Sequence, residues 1–302
     1  MDIRSKIILI AGPTASGKSK FAIQIAKKLN GEIINADSMQ VYKELKILTA
    51  RPKIKDYKNI NHHLYGFISV NQKFSTGKWL SLTEKKIKEI KQKNKTPIVT
   101  GGTGLYFKAL TDGLVKIPNI PIKVRTKIRN LQKKLGQKKF FNMLRKLDPK
   151  IINKIKETDV QRSIRAYEIK YYTNYSIYDW FKKTKSKFEN RDFYKIYIDY
   201  PRIELLEKIS NRTKLMLKKG AIAEVKRLKM IKIRSESNAN KIIGVKEINE
   251  YLLKQSKLDE VIEKISIKTR QYAKRQSTWA RGQMGDWQNF KPSYLKKFLK
   301  KI

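Results

Sequence analysis

Residues Lys6 to Leu29 read KIILIAGPTASGKSKFAIQIAKKL, and this stretch decides the fold. A run of apolar residues rich in isoleucine precedes a glycine-containing loop, and apolar residues at helical spacing follow it, which predicts a strand, a loop and a helix in succession. The loop, Gly12 to Ser19, fits the pattern GxxxxGK(S/T), and its position between a strand and a helix makes the match specific. The sequence therefore predicts a P-loop that binds a diphosphate or a triphosphate.

Each part of this loop has a predicted role in holding phosphate. Gly12 and Gly17 allow the backbone to curl, so that successive amides and the positive end of the helix dipole face the phosphate oxygens. Lys18 would supply charge to the terminal phosphate, and the Ser19 hydroxyl would bind magnesium, the cofactor that we expect. The predicted phosphate-binding residues are Gly12, Pro13, Thr14, Ala15, Ser16, Gly17, Lys18 and Ser19.

Further strands and helices alternate along the chain outside this loop. The segments EIINA, TPIVT and YKIYID predict strands, another strand is expected near His63 to Ser69, and a helix is expected near Gly77 to Lys93. Strands that alternate with helices predict an α/β fold, in which a parallel sheet is covered on both faces and binds ligands at the carboxyl ends of its strands.

The alternation stops between about Pro118 and Asn190. Residues Lys123 to Tyr172 predict several basic, amphipathic helices, interrupted at Gly136 and at Asp148-Pro149. After Pro201 the chain is again mostly helical in pattern. We therefore predict a P-loop NTPase-like core with a parallel sheet, residues 1–117 and 191–302, and a helical insertion domain, residues 118–190.

The charge balance predicts a polyanionic partner. The chain contains 70 Lys and Arg residues against 26 Asp and Glu residues, which gives a formal charge of +44. Nucleic acid is the partner that such an excess favours. Alternatively, many lysines cover solvated helix faces in a lysine-rich composition, as between Glu84 and Lys95. A noncatalytic RNA-binding protein would explain the charge but leave the P-loop unexplained.

The composition also bears on metal sites and on location. The chain has no cysteine, which excludes a disulfide framework and a cysteine-based metal site and suits a reducing cytosol. The opening residues MDIRSKIILIAG lack a small-residue cleavage site, and no later stretch approaches membrane-spanning length. We expect a cytoplasmic, monomeric protein without a membrane partner.

A nucleotide hydrolase or kinase is the first alternative that the P-loop raises. Such enzymes need an acid that orients magnesium at the end of a neighbouring strand. The strand TPIVT ends in GGT, without an acid, whereas Asp199 follows YKIYI and keeps this alternative open. Asp37, after EIINA, and Thr103, after TPIVTGG, each have a purely structural alternative as a helix cap.

Five segments carry a family resemblance. GPTASGKS, DSMQVY, GGTGLYFKAL, DVQRSIRAYE and TRQYAKRQSTW occur in this order up to about Trp279. Together they resemble the tRNA dimethylallyltransferase family over nearly the whole chain. Adenylate isopentenyltransferases share the loop and the chemistry, but the helical insertion and the basic segments favour tRNA as the substrate. The resemblance implies that dimethylallyl diphosphate occupies the P-loop with magnesium and that its prenyl group is transferred to the exocyclic amine of the adenosine that follows the anticodon.

The resemblance also implies roles for individual residues. Asp37 would accept a proton from the adenine amine, Arg212 would contact the diphosphate, and Thr103 would lie near the target adenosine and the leaving group. The partner would be the anticodon stem-loop of tRNA, whose target base must leave its stack. The residues implied in tRNA binding are Asp37, Ser38, Met39, Gln40, Thr103, Arg125, Gln161, Arg162, Ser163, Ile164, Arg165, Lys274 and Arg275.

Two positions depart from the family pattern. Val245 stands where tyrosine is usual, and Ala280 stands where phenylalanine is usual. Both lie outside the P-loop, so we expect them to affect packing or tRNA affinity and not the chemistry. The two histidines, His62 and His63, lack cysteine partners and are interpreted as strand-entry residues and not as metal ligands.

Overall fold

The computed structural model describes residues 3–182, 184–234 and 237–302. The chain divides into two compact units, Met1–Thr111 with Phe188–Ile302 and Asp112–Lys187. We call them the sheet unit and the helical unit. Each contains a hydrophobic core of its own.

The sheet unit is built on parallel strands, which confirms the predicted α/β fold. In the described part of the chain they are β1 (Ile7–Ala11), β2 (Gly31–Asn35), β3 (His62–His63), β4 (Thr96–Gly101), β5 (Phe193–Ile198) and β6 (Gln288–Phe290). All pairs are parallel, and the order across the sheet is β3-β2-β4-β1-β5-β6. The P-loop strand β1 therefore lies between β4 and β5, and the loops that follow these strands share one edge of the sheet.

Helices cover the sheet and form most of the helical unit. Within the described ranges they are α1 (Lys18–Lys28), α2 (Thr76–Gln92), α3 (Gly104–Asp112), α4 (Ile122–Leu147), α5 (Val160–Thr173), α6 (Ile177–Lys182), α7 (Arg202–Lys218), α8 (Ala221–Met230), α9 (Val245–Leu252), α10 (Leu258–Gln283) and α11 (Pro292–Lys301). Among the residues described, none of the helices combines the length and the apolar character needed to cross a membrane.

Both faces of β1 are buried, which explains its unbroken apolar sequence. Ile7 and Leu9 belong to the core layer that includes residues of α2 and α3. Ile8 and Ile10 belong to the opposite layer, with residues of α1 and α11. A strand that is covered on both sides in this way needs apolar residues at every position, and not only at alternate ones.

The strand predicted near His63 to Ser69 is present only at its beginning, and its predicted extent is wrong. Strand β3 ends at His63, and Ile68 forms only an isolated bridge with Tyr42. Between them, Leu64 and Gly66 have φ angles of 63° and 52°. These left-handed conformations turn the chain away from the extended path that a longer strand requires.

Strand β6 carries little signal in the sequence. Gln288 and Asn289 are exposed, and Phe290 is buried. Because two of its three residues are exposed and polar, no apolar alternation marks the strand. It pairs with the end of β5, where Ile198 lies opposite Phe290.

The helical unit confirms the predicted run of basic helices. Helix α4 is interrupted at Gly136, which has φ 72° and ψ 165°, and it ends before Asp148, so both predicted interruptions are present. The carboxylate of Asp159 caps α5 by accepting a 3.0 Å hydrogen bond from the amide of Arg162. The core of this unit includes Ile128, Phe140, Leu144, Ile151 and Ala166.

Candidate active site

The loop after β1 has the curled backbone that a phosphate site needs. Ala15 and Gly17 have left-handed φ angles of 65° and 82°. Gly17 is the N-cap of α1, which begins at Lys18. Because glycine has no side chain, it makes no capping hydrogen bond, and the first amides of the helix remain available to an anion. These amides and the helix dipole therefore face the loop opening, as anion binding requires.

The side chain of Lys18 contacts this loop, and its pKa is lowered. Its Nζ donates a 3.1 Å hydrogen bond to the carbonyl of Pro13. Burial lowers the pKa of Lys18 to about 8, with a rise caused by the carboxylate of Asp37 and a further lowering caused by the guanidinium of Arg212. An anion in the loop would offset the burial and stabilise the ammonium form.

Arg212 reaches the same loop from α7. Its Nη1 donates a 2.9 Å hydrogen bond to the hydroxyl of Thr14. Burial lowers the pKa of Arg212, and the nearby charge of Asp37 opposes this effect. Arg212 is therefore a partly buried residue of the P-loop region and not a solvated helix residue.

Asp37 lies two residues after the end of β2, and the chain goes on into a bend at Ser38 and Met39 and not into a helix, so the helix N-cap interpretation is wrong. Its amide donates to Oδ1 of Asn35 at 2.9 Å, and Oδ1 of Asp37 accepts a 2.9 Å hydrogen bond from the amide of Met39. The bond from Met39 forms an Asx turn, in which the Asp37 side chain satisfies the backbone of a turn and not the first turn of a helix. Among the described residues, Oδ2 of Asp37 has no hydrogen-bond partner.

Thr103 connects the loop after β4 to the loop after β2. Its hydroxyl accepts a 2.9 Å hydrogen bond from the amide of Ser38 and lies 3.3 Å from the Ser38 hydroxyl. The turn into α3 uses the backbone of Thr103, whose carbonyl accepts from the amide of Tyr106 at 3.0 Å. The cap interpretation therefore holds for the backbone of Thr103 but not for its side chain.

Gln276, on α10, is a site residue that the sequence pattern does not reveal. Its Oε1 accepts a 2.8 Å hydrogen bond from the amide of Thr14, and its Nε2 donates a 2.8 Å hydrogen bond to the carbonyl of Gly102. Within the segment KTRQYAKRQ it reads as one more polar residue on a basic helix face. The available signal is the glycine run GGTG, which indicates that other groups approach this loop closely.

Each glycine of that run has a different close neighbour. A Cβ at Gly101 would lie 2.1 Å from the carbonyl atoms of Ala36, and a Cβ at Gly102 would lie 2.2 Å from Nε2 of Gln276. A Cβ at Gly104 would lie 2.3 Å from the indole of Trp279. The glycines therefore allow the loop after β4 to pack against both the β2 loop and α10.

The other residues implied in tRNA binding on the sheet unit flank Asp37 or lie on α10. Gln40 uses its amide nitrogen within its own loop, where it donates to the carbonyl of Thr49 at 2.9 Å. Lys274 and Arg275 are exposed, and the Arg275 guanidinium lies 5.8 Å from the centre of the Tyr272 ring. Burial raises the pKa of Tyr272, and the charge of Asp37 raises it further.

In the helical unit, Arg125 and Arg165 surround the buried carboxylate of Glu168. Arg165 lies 3.3 Å and Arg125 lies 3.7 Å from Oε2 of Glu168, and Arg129 lies 3.5 Å from Oε1. Three arginines around one carboxylate leave a net positive charge. These arginine side chains are 40 to 51% exposed, which keeps them accessible to phosphate.

The segment Gln161 to Arg165 forms the first turns of α5, and its residues differ in exposure. Gln161 and Arg162 are exposed, whereas Ser163 is completely buried. The Ser163 hydroxyl donates to the carbonyl of Asp159 at 2.8 Å, so it faces the interior of the unit and not RNA. Ile164 is partly buried against the core of the helical unit.

The remaining predicted positions lie outside the Asp37 site. Asp199, the candidate acid of a nucleotide hydrolase, follows β5 and lines a cavity of about 1030 Å³ together with Arg270 and Lys274. Val245 and Ala280 are buried in core clusters, so both departures from the family pattern fall at packing positions. The charges that shift the pKa of Lys18 are those of Asp37 and Arg212.

The chain matches the model of the IPP transferase family over residues 40–283. Among curated relatives, the tRNA dimethylallyltransferase of Pelagibacter ubique (strain HTCC1062) is 61% identical over 302 residues, which span 100% of this chain and 96% of the relative. The tRNA dimethylallyltransferase of Rickettsia massiliae (strain Mtu5) is 43% identical over 285 residues, which span 94% of this chain and 78% of the relative.

Solved structures show the same similarity. A tRNA delta(2)-isopentenylpyrophosphate transferase from Staphylococcus epidermidis superposes with a TM-score of 0.69 at 31% identity, covering 98% of each chain. A eukaryotic dimethylallyltransferase acting on tRNA superposes with a TM-score of 0.83 at 30% identity, covering 95% of this chain and 74% of that one.

Proposed function

The chain belongs to the IPP transferase family, and from that premise we propose that its P-loop, Asp37 and Arg212 transfer a dimethylallyl group from dimethylallyl diphosphate to tRNA. One observation carries the proposal: the guanidinium of Arg212 donates a 2.9 Å hydrogen bond to Thr14 of the loop, and the carboxylate of Asp37 lies near enough to Lys18 and Arg212 to oppose the lowering of their pKa values by burial. An anion cradle and a carboxylate base therefore lie within electrostatic reach of each other. Prenyl transfer to an amine needs both groups.

The acceptor is the exocyclic amine of the adenosine that follows the anticodon. The amine nitrogen attacks the first carbon of the dimethylallyl group and forms an N–C bond. The C–O bond to the diphosphate breaks, and the departing diphosphate keeps the bonding electrons. The nitrogen then gives one proton to the Asp37 carboxylate, through Oδ2, because Oδ1 already accepts from Met39.

The leaving group needs cations that are in place before the bond breaks. Lys18 and Arg212 supply two of them, and the amides at the start of α1 supply further donors. Because Arg212 donates to Thr14 through one nitrogen, its other guanidinium nitrogens remain for the diphosphate. Preorganised donors of this kind stabilise the charge that develops on the diphosphate.

Magnesium is the cofactor that we propose. Ser19, at the start of α1, would hold it together with oxygens of the diphosphate, and the bound ion would neutralise charge on the leaving group. Among the described residues, no group of three or more His, Asp or Glu is arranged to bind a metal. One serine hydroxyl together with diphosphate oxygens is a donor set that fits magnesium, because this ion prefers oxygen ligands and is commonly bound through the phosphates of a substrate.

The RNA partner that we propose is the anticodon stem-loop. Its target base must be turned out of the stack before Asp37 can reach the amine. The formal charge of +44 supports a polyanionic substrate, and exposed cations lie on α10 and around Glu168 in the helical unit. A free adenine nucleotide would not need these extended basic surfaces.

The test is to incubate the chain with magnesium, unmodified tRNA and labelled dimethylallyl diphosphate, with parallel reactions that contain labelled ATP or free AMP. We expect label in the tRNA from the prenyl donor alone, and nucleoside mass analysis should show isopentenyladenosine. ATP hydrolysis without prenyl transfer would support a nucleotide hydrolase instead. Prenylation of AMP as efficient as that of tRNA would contradict the proposed acceptor.

A further inference from the structure

We infer that Gln276 is a positioning residue that holds the P-loop and the loop after β4 in one arrangement, and so sets the donor against the base. The inference rests on the proposed function, since it assigns a role within the same site. The side chain leaves α10 and spans the loops after the neighbouring strands β1 and β4. The bonds it makes are to backbone groups, so the connection depends on Gln276 itself.

Both ends of the Gln276 amide are used in this bridge. Oε1 accepts from the Thr14 amide at 2.8 Å, and Nε2 donates to the Gly102 carbonyl at 2.8 Å. The first bond restrains the P-loop at Thr14, and the second restrains the segment that leads to Thr103. One side chain therefore connects the loop that binds the donor in the proposed reaction with the segment that leads to Thr103.

The bridge is the central part of a longer chain of hydrogen bonds. On one side, the Thr14 hydroxyl accepts from Arg212, the proposed diphosphate contact, at 2.9 Å. On the other side, the Thr103 hydroxyl accepts from the Ser38 amide at 2.9 Å, one residue after Asp37. The contacts thus run from the cation that stabilises the leaving group to the base that accepts the proton. Alignment of these two groups is a large part of catalysis in a bimolecular transfer.

The role of Gln276 differs from that of its neighbours on α10. Lys274 and Arg275 are exposed cations suited to RNA phosphates. Gln276 is partly buried, and its amide is bonded to the sheet unit at both ends. A substitution at Gln276 should therefore change the binding and use of the donor without changing the affinity for RNA.

The contact with Gly102 offers an independent way to break the same bridge. A Cβ at Gly102 would lie 2.2 Å from Nε2 of Gln276, which is the far end of a flexible side chain. Gly102→Ala should therefore displace the Gln276 amide while the fold stays intact. In Gln276→Ala, the same methyl group meets no glutamine and should have little effect.

The experiment is a double-mutant cycle with Gln276→Ala, Gly102→Ala and the double variant. Calorimetry with inorganic diphosphate and magnesium measures the affinity of the P-loop for diphosphate. Filter binding measures the affinity for unmodified tRNA, and steady-state kinetics give kcat/KM for dimethylallyl diphosphate. Each single variant should lose about tenfold in diphosphate affinity and in kcat/KM, with tRNA affinity unchanged. The double variant should lose no more than Gln276→Ala alone. Gln92→Ala, at an exposed glutamine of α2, is the matched control and should behave as the wild type.

Wild-type diphosphate affinity and kcat/KM in Gln276→Ala would overturn the inference, as would a loss confined to tRNA binding. Additive losses in the double variant would also overturn it, because they would show that the two residues do not act through one bridge. The kinetic results of the variants are compared with prenyl transfer by the wild-type chain. Absence of that transfer would refute the proposed function, whereas diphosphate binding tests the bridge without any turnover.

Discussion

The backbone amide of Asp37 donates a hydrogen bond to Oδ1 of Asn35, with the two atoms 2.9 Å apart. The same side chain donates back through Nδ2 to the carbonyl of Asp37 and to that of Leu64, each at 3.0 Å. Asn35 is completely buried at the end of β2, and its own carbonyl accepts a 2.7 Å hydrogen bond from the indole of Trp79. The proposed base is therefore held by the interior of the sheet unit.

Asn35→Ala should lower both turnover and stability. The substitution removes three hydrogen bonds worth about 1 kcal/mol each, so the free energy of unfolding should fall by roughly 2–3 kcal/mol. Because Asp37 loses its fixed position, kcat should fall by about tenfold or more. Denaturant unfolding and single-turnover kinetics measure the two effects. In an Asp37→Asn background the Asn35 substitution should cost no further rate, and an unchanged kcat in the single variant would limit Asn35 to a role in folding.

Asp37→Asn should remove the base while preserving the shape of the site. We expect kcat to fall by about 10²- to 10⁴-fold, the usual contribution of a general base. The affinity for tRNA, measured by filter binding, should stay within about twofold, because the exposed arginines and lysines are unchanged. Asp259→Asn, at an exposed position in the first turn of α10, is the control. Normal turnover of Asp37→Asn would refute the assignment of the base.

The pKa of Lys18 predicts how donor use depends on pH. Burial lowers this pKa to about 8, so the free protein carries the ammonium form below pH 8 and loses it above. The value of kcat/KM for the donor should therefore fall about tenfold for each pH unit above this pKa. Lys18→Arg keeps its charge throughout the range and should show a flatter profile. A wild-type profile that stays flat through the pKa would contradict the role of Lys18.

The lowered pKa of Glu32, a residue outside the candidate active site, predicts that the stability of the fold decreases in acid. Burial raises the pKa of Glu32, but hydrogen bonds from Asn61, His63 and Lys95 outweigh it and lower the pKa from 4.5 to about 2. The carboxylate therefore contributes its full stability above pH 4.5 and loses it as the pH falls toward 2. The loss should be roughly 3 kcal/mol in the free energy of unfolding, measured by denaturant titration. Glu32→Gln should weaken this pH dependence, and an identical slope in both proteins would contradict it.

Patterns within one segment allowed the core of the fold to be predicted. The P-loop and its flanking strand and helix are contiguous, and the burial of β1 on both faces leaves an unbroken apolar run. The strand near His63 was overextended, because the left-handed turn at Leu64 and Gly66 is not visible in the apolar pattern. Strand β6 could not be predicted from the sequence, because Gln288 and Asn289 are exposed and polar. Their extended conformation depends on pairing with β5, which the sequence pattern does not show.

The site was predictable where a residue type carries the chemistry and not where a distant contact does. Asp37 and Lys18 stand out because a carboxylate and an ammonium follow strands of the same sheet. The bend at Asp37 depends on Asn35 and Met39, and local preference alone favoured a helix cap there. Gln276 lies 262 residues from Thr14, so only the folded chain shows that its amide belongs to the P-loop region.

The separate core of the helical unit has a consequence for how such a chain can change over time. Residues such as Phe140 and Leu144 pack within that unit, whereas the chemistry is assigned to groups on the sheet unit. The arginine surface around Glu168 belongs to the helical unit, whereas the carboxylate and the anion cradle belong to the sheet unit. Substitutions that tune the recognition of nucleic acid can therefore accumulate in the helical unit without replacing any residue to which the reaction is assigned.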